Sequence, residues 1–297
     1  MSWQKRQAEI ISADSMQVYK QMDIGTAKIK KEQMQGVTHY MIDEWNPDEE
    51  FNVMIFQKRV KEIMEDIYNR GKIPILVGGT GFYIQAVLND IAFTKEKQGD
   101  EIRADLQNLA KEKGASYLHH ELQKVDKESA EAIHPNNIKR VIRALEYFQS
   151  TGQKFSDHNK EERQKGSPYN FLYLVLTMNR EVLYERIDKR VDQMMEEGLV
   201  KEVKELLDAG YSRNLVSMQG LGYKEIASAL FKECTMEEAV YRLKRDTRHF
   251  AKRQMTWFRR ERDVTMIDKD NFLNNHEIVN YIMKLAAEKG ICSCREG

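Results

Sequence analysis

The chain is 297 residues long and carries 47 Lys and Arg against 47 Asp and Glu, a formal net charge of zero. That balance removes any global field that would draw the protein to nucleic acid, so such an argument must come from local clusters. Hydrophobic residues at 41% suffice for a core, charged residues at 32% mark a solvated surface, and three cysteines are too few for a disulfide framework. Cys292 and Cys294 lie in the polar tail "GICSCREG", short of the four ligands a structural zinc site uses. The opening "MSWQKRQAEII" has no apolar leader, and no run approaches the roughly 18 residues of a membrane helix. A soluble, cytoplasmic protein is expected.

In chain order, residues 9–12, 73–77 and 171–177 are short continuous apolar runs that read as buried parallel strands. Between the first two, Val53, Phe56, Val60, Ile63, Met64 and Ile67 recur at helical spacing until Gly71 and Pro74 end the pattern. Strand, helix and strand in succession predict an α/β core with right-handed crossovers. From about Thr94 to Ser167 the strand-like runs vanish. "DEIRADLQNLAKEKGASYLHHELQKV" and "NNIKRVIRALEYFQSTG" read as helices there, and "SDHNKEERQKGSP" as a polar loop. The expected organisation is an α/β core of residues 1–93 and 168–297, interrupted by a helical insertion over 94–167. Beyond the third strand, "NREVLYERIDKRVDQMMEEGLVKEVKELLDAG" reads as long and helical, and "MEEAVYRLKRDTRHFAKRQMTWFRRERDV" as a basic helix.

Five places carry candidate chemistry. Asp14 follows the first strand, at the end of the sheet where α/β proteins hold ligands; a turn-forming or capping aspartate is the plain alternative. In "VGGTGFYIQAVL" consecutive glycines aim backbone N–H groups into one concavity at a helix N-terminus, with the Thr80 hydroxyl at the lip. A tight turn in which glycine only relieves crowding explains that stretch equally, and it is not a Walker A sequence. Arg186 and Arg190 share a helix face behind Arg180, and their forked guanidiniums suit a phosphate-bearing ligand or pair with Glu181 and Glu185 at the surface. In "NNIKRVIRALEYF" an apolar stripe of Val141, Leu145 and Phe148 accompanies Lys139 and Arg143. Finally, 242–262 holds nine Lys and Arg against Asp246 and Glu261, a local charge of +7. Lys244, Arg248 and Lys252 recur every fourth residue there, opposite a core-like face of Leu243, Thr247, Phe250 and Gln254. So unmixed a sign reads as a footprint for a phosphate backbone.

The stretches "ISADSMQVYKQMDIGTAK", "ILVGGTGFYIQAVL", "HPNNIKRVIRALE", "RVDQMMEEGLVKEV", "QGLGYKE" and "RHFAKRQMTWFR" resemble, in order, motifs of the tRNA dimethylallyltransferases, also called tRNA isopentenyltransferases. The resemblance runs from Ala8 to about Asp268. It implies a P-loop-kinase-like α/β fold with a helical insertion that contacts tRNA. It also implies transfer of a dimethylallyl group from dimethylallyl diphosphate to the exocyclic amine of the adenosine 3′ of the anticodon, with Mg²⁺ as cofactor and a monomeric enzyme. By that likeness Asp14 deprotonates the amine and Thr80 stands beside the reacting centre. Asp14, Ser15, Met16 and Gln17 would touch the tRNA, as would Arg103, then Lys139, Arg140, Val141, Ile142 and Arg143. Gln219, Gly220, Leu221, Gly222, Tyr223 and Lys224 complete that set, with Lys244, Arg248 and Lys252 added for their charge. Arg190, together with Arg186, would hold the diphosphate, and no metal ligand is assigned. Phe82, Tyr83 and Trp257 would shape a channel for the base or, as the preferred reading, serve the core.

One departure stands out. The family begins with a strand and a glycine-rich phosphate loop of the nucleotide-binding, ATP-binding type ending in Gly-Lys-Thr/Ser, and "MSWQKRQ" supplies none of it. The expectation is a displaced start within a longer protein, leaving this chain poorly active and less stable. A non-catalytic tRNA-binding remnant is the rival. An adenylate isopentenyltransferase is set back by the insertion and the basic helix, which a mononucleotide does not need, and a nucleotide kinase by the absent Gly-Lys-Thr/Ser.

Overall fold

The structure, a computed structural model, describes residues 8–93 and 99–292. Met1 to Gln7, and with them the expectation about a phosphate loop, lie outside the described residues, as does Cys294. Two compact units are present: the described parts of Met1–Val87 and Tyr169–Gly297 form one, and Leu88–Pro168 forms the other.

In the first unit, β1 (Ala8–Ser12) is the middle strand of a parallel sheet ordered β2-β1-β3, with β2 at His39–Tyr40 and β3 at Ile73–Val77. Ala8 pairs with Ile73 and Ser12 with Val77, so the two strands end level. Pro74 has no N–H to give, and β3 takes no strand on its outer edge among the described residues, which is where proline is tolerated. Helix α1 (Val53–Asn69) begins where Asn52 accepts the Met54 and Ile55 N–H groups, and it buries Phe56, Val60, Ile63, Met64 and Ile67. That is the face its spacing predicts. β4 (Tyr173–Thr177) and β5 (Val264–Asp268) form a second parallel sheet. The strands thus make two sheets rather than one, and Ile75, Val77 and Leu176 remain exposed large apolar residues.

Several expectations need correction. The long helix after β4 is two helices, α8 (Arg180–Glu197) and α9 (Leu199–Asp208), because Gly198 adopts φ +104°, outside the range of ordinary side chains. The basic helix α11 (Met236–Phe258) stops short of Val264; Asp263 at φ +57° turns the chain, and Val264 opens β5 instead. Helices α10 (Tyr223–Leu230) and α12 (Asn275–Glu288) complete the unit.

Described residues of the second unit form helices only: α3 (Gly99–Lys113), α4 (Ala115–Val125), α5 (Lys127–Ala132), α6 (Ile138–Thr151) and α7 (Phe155–Gln164). The last replaces the expected polar loop. It is held from outside its own sequence: the Ser156 N–H donates to buried Asp126, and His158 stacks on Tyr147 at 4.9 Å. α2 (Gly81–Leu88) leads from the first unit. No helix among the described residues is long and apolar enough to cross a membrane, and Cys234 is a free thiol.

β1 carries one charge into the interior. Buried Glu9 receives both forks of Arg70 at 2.6 and 2.7 Å, Lys72 at 2.6 Å and the Tyr40 hydroxyl at 2.8 Å. The Arg70 guanidinium, chiefly, pulls its pKa down to about 2 from the usual 4.5. A carboxyl depressed in the folded state stabilises above its ordinary pKa and loses that contribution as pH falls toward 2. Screening of the half-exposed Arg70 trims the contribution to about 1–2 kcal/mol. Glu9→Gln should therefore cost about that much at pH 7 in urea denaturation, and the difference from wild type should shrink progressively between pH 5 and 2.

Candidate active site

Where β1 and β3 end side by side, their exits are welded together. Thr80 donates its N–H to the Ala13 carbonyl at 3.2 Å, and its Oγ1 accepts the Ser15 N–H at 3.2 Å. Gly78 has no choice of residue: a Cβ there would stand 2.3 Å from the Ala13 carbonyl oxygen. The next glycines admit α11. A Cβ on Gly79 would meet Gln254 Nε2 at 2.0 Å and one on Gly81 the Trp257 ring at 2.3 Å, while Gln254 Nε2 donates to the Gly79 carbonyl at 2.9 Å.

On this platform Asp14 is half-buried. Its Oδ1 accepts the Met16 N–H at 2.7 Å and the Gln17 N–H at 3.2 Å. Burial pushes its pKa above the ordinary aspartate value, opposed by those two N–H groups and by the charge of Arg190. Asp14 is therefore a turn-forming aspartate whose carboxylate also has a strengthened hold on protons. Arg190 and Arg186 are exposed on one face of α8, while Asp188 and Asp192 face the other way.

Gln17 reaches from the Asp14 turn to the Thr26 carbonyl at 3.3 Å. The segment it touches is fixed by Glu202 of α9, whose carboxylate accepts the N–H groups of Asp23, Ile24 and Gly25 at 2.9, 2.7 and 3.0 Å and the buried Tyr223 hydroxyl at 2.7 Å. Removing a partner of so many donors costs about 3 kcal/mol. No local pattern marks Glu202; its partners lie 21 and about 180 residues away, so sequence reasoning missed it.

The other candidates divide. Gln219 is exposed, Gly220, Leu221 and Lys224 are half-buried, and Gly222 and Tyr223 are buried. Lys244 pairs with Asp192 at 2.6 Å and Arg248 with Asp188, so the neighbouring helix neutralises part of the basic face, and Lys252 stands exposed beyond them. Phe250 is exposed, so the core-like face of α11 is narrower than its sequence suggests. Tyr83 is core, whereas Phe82 and Trp257 are about 40% exposed and meet edge to face at 6.2 Å. In the helical unit Lys139 and Arg140 are exposed. Val141 and Ile142 lie in the hydrophobic cluster with Leu118 and Leu122, so their side chains face inward. Arg103 forks onto buried Glu146 at 2.9 Å, which also takes Arg143 at 3.2 Å. Among the described residues no group of three His, Cys, Asp or Glu side chains could hold a metal ion.

The level strand exits thus bring a carboxylate and a hydroxyl together at the end of a parallel sheet where α/β proteins hold ligands. Comparison with known proteins gives the family. The family model described as IPP transferase matches residues 17–261, and the chain belongs to that family. It is 58% identical over 283 residues to a tRNA dimethylallyltransferase of Lachnoclostridium phytofermentans, covering 95% of this chain and 90% of that protein. It is 49% identical to the tRNA dimethylallyltransferase of Acetivibrio thermocellus with the same coverage. Among solved structures, the tRNA isopentenylpyrophosphate transferase of Bacillus halodurans is 45% identical with a TM-score of 0.70, covering 95% of this chain and 89% of that one. A eukaryotic dimethylallyltransferase caught acting on tRNA is 28% identical with a TM-score of 0.81, covering 99% of this chain and 76% of the other.

Two neighbouring glycines separate by the kind of atom they approach. Gly78→Ala pushes on the backbone of β1 and should cost about 3 kcal/mol, whereas Gly79→Ala displaces only the end of Gln254 and should cost about 1 kcal/mol. Chemical denaturation of both variants reads the difference.

Proposed function

We propose that this chain transfers a dimethylallyl group from dimethylallyl diphosphate to the exocyclic amine of the adenosine 3′ of the anticodon in tRNA. The names of its relatives give the reaction class, and one observation supports the residue-level reading: Asp14, its proton affinity raised by burial, adjoins Ser15, whose N–H Thr80 accepts, and lies within the field of Arg190.

The adenine amine is a weak nucleophile because its lone pair is delocalised into the ring. Asp14 Oδ1 is occupied by the Met16 and Gln17 N–H groups, which leaves Oδ2 to take the proton. The new N–C bond forms as the allylic C–O bond breaks, and the diphosphate leaves with the electron pair. Thr80 Oγ1 accepts the Ser15 N–H and so keeps its own hydrogen for a leaving-group oxygen, while Arg190 and Arg186 balance the departing charge. The base must be unstacked to reach this carboxylate. Phe82 and Trp257, exposed beside the glycine turn, offer it a wall.

Mg²⁺ belongs to the same proposal as a companion of the diphosphate. The described residues offer it no dedicated cage, and magnesium bound largely through phosphate oxygens needs none. The tRNA contacts of Asp14 to Gln17, Gln219 to Lys224, Lys252 and, in the helical unit, Lys139 and Arg140 are likewise proposed. For Val141 and Ile142 the proposal is reduced to their backbone, since their side chains are buried. A P-loop-kinase-like relationship is supported by the all-parallel pairing of both sheets, whose strands leave Ile75, Val77 and Leu176 exposed. A cytoplasmic monomer completes the reading.

Asp14→Asn should lower single-turnover prenylation of an anticodon stem-loop by about 10²–10⁴-fold while its affinity for the RNA stays within about threefold. Retained turnover would put the base elsewhere. Because Asp14 works ionised and its pKa is raised, the rate should fall off on the acid side above the ordinary aspartate range. Arg190→Gln, which removes a charge that holds that pKa down, should move the acid limb further up and raise the KM for dimethylallyl diphosphate.

A further inference from the structure

A cavity of about 470 Å³ opens between the start of α10 and the first half of α11, and none of its walls comes from the Asp14 turn or the glycine turn. Two kinds of available group line it. Arg242 gives its Nε to Glu238 at 2.7 Å and Arg245 its Nε to Asp246 at 2.8 Å, so the terminal nitrogens of both guanidiniums take no hydrogen bond among the described residues. Glu225, buried, uses Oε2 to accept the Gly222 N–H at 2.9 Å. Its Oε1 is buried too, accepts no hydrogen bond, and has the Lys224 ammonium 3.5 Å away.

Two forked guanidinium ends open to solvent on one wall suit an oxyanion, and a buried carboxylate oxygen without a partner requires an N–H or O–H donor. A ligand that offers both within this volume is a nucleotide. We propose that the cavity is a subsite for one unpaired nucleotide of the RNA substrate, with its phosphate on Arg242 and Arg245 and a base amine or ribose hydroxyl on Glu225 Oε1. This rests on the reading of the chain as a tRNA-modifying enzyme. Gln219 and Lys224, on the cavity wall, also belong to the segment proposed to touch tRNA, so the subsite continues that surface. Tyr241, 57% exposed and one helical turn before Arg245 on α11, offers a ring for stacking outside the cavity wall. Arg213 is part of the wall rather than the ligand set. It is forked onto Glu233 at 2.6 and 2.9 Å and lies over the Phe231 ring.

Cys234 also lines the cavity and provides a reporter. The full chain would be treated with iodoacetamide with and without a synthetic anticodon stem-loop, following the Cys234 peptide by mass spectrometry. Binding of the same RNA to wild type, Arg242→Gln/Arg245→Gln and Glu225→Gln would be measured across a salt series. The expected result is severalfold slower labelling in the presence of RNA, about tenfold weaker binding by the double variant with its salt slope reduced by about one, and weaker binding by Glu225→Gln at unchanged Tm. If wild type binds the stem-loop while Cys234 labelling and the affinity of the double variant do not change, the subsite is overturned and the RNA reading survives. No binding by wild type overturns both. Equal protection by a polyglutamate peptide would assign the cavity to an acidic protein and overturn the nucleotide. Should the double variant fail to fold, Cys234 protection in wild type decides alone.

Discussion

The approach of Gly78 to the Ala13 carbonyl governs the arrangement of everything around it. Two parallel strands of equal extent end together, and only a residue without a side chain lets the second exit lie against the first. That contact brings the Thr80 N–H and hydroxyl to the Ala13–Ser15 backbone, and it fixes the direction in which Asp14 leaves the sheet. An α/β sheet puts ligands at these ends because the strands stop there while the loops still have hydrogen-bonding groups to spare. Here those groups are largely committed to one another, which makes the turn stiff before any substrate arrives.

Stiffness is extended outward by a second carboxylate. Glu202 gathers three successive N–H groups and a buried phenol, so the segment after the Asp14 turn is tied to α9 and α10 rather than left as a free loop. The burial that raises the Tyr223 pKa keeps its hydroxyl a donor to Glu202. Electrostatics elsewhere follow the same economy. A chain of zero net charge concentrates positive residues on α11, then sets Asp188 and Asp192 of α8 against two of them. The positive face that remains is therefore smaller than the sequence implies.

Local pattern made much of this legible. Helix α1 and strand β3 follow from apolar spacing and from Gly71 and Pro74, and Asp14 was visible as a carboxylate at a strand exit. What escaped depends on partners far away in the chain. α7 is a polar decapeptide whose helical state comes from Asp126 and Tyr147, and β5 exists because β4 is beside it. Glu202 looks like any surface glutamate until residues 23–25 are brought to it. Phe82 and Trp257 were read as core, and their partial exposure comes from the glycine turn, where Gly81 leaves room for the indole but nothing covers its outer side among the described residues.

Helix α11 has a further implication. It is a single uninterrupted rod of 23 residues, gripped near one end where Gln254 and Trp257 occupy the spaces left by two missing methyl groups. Arg245 and Gln254 are separated by about 14 Å of helix at a rise of 1.5 Å per residue. One unbroken element thus carries both the arginines of its first half and the side chains that fill the glycine turn, so a substitution that unwinds it anywhere between them is felt at both ends.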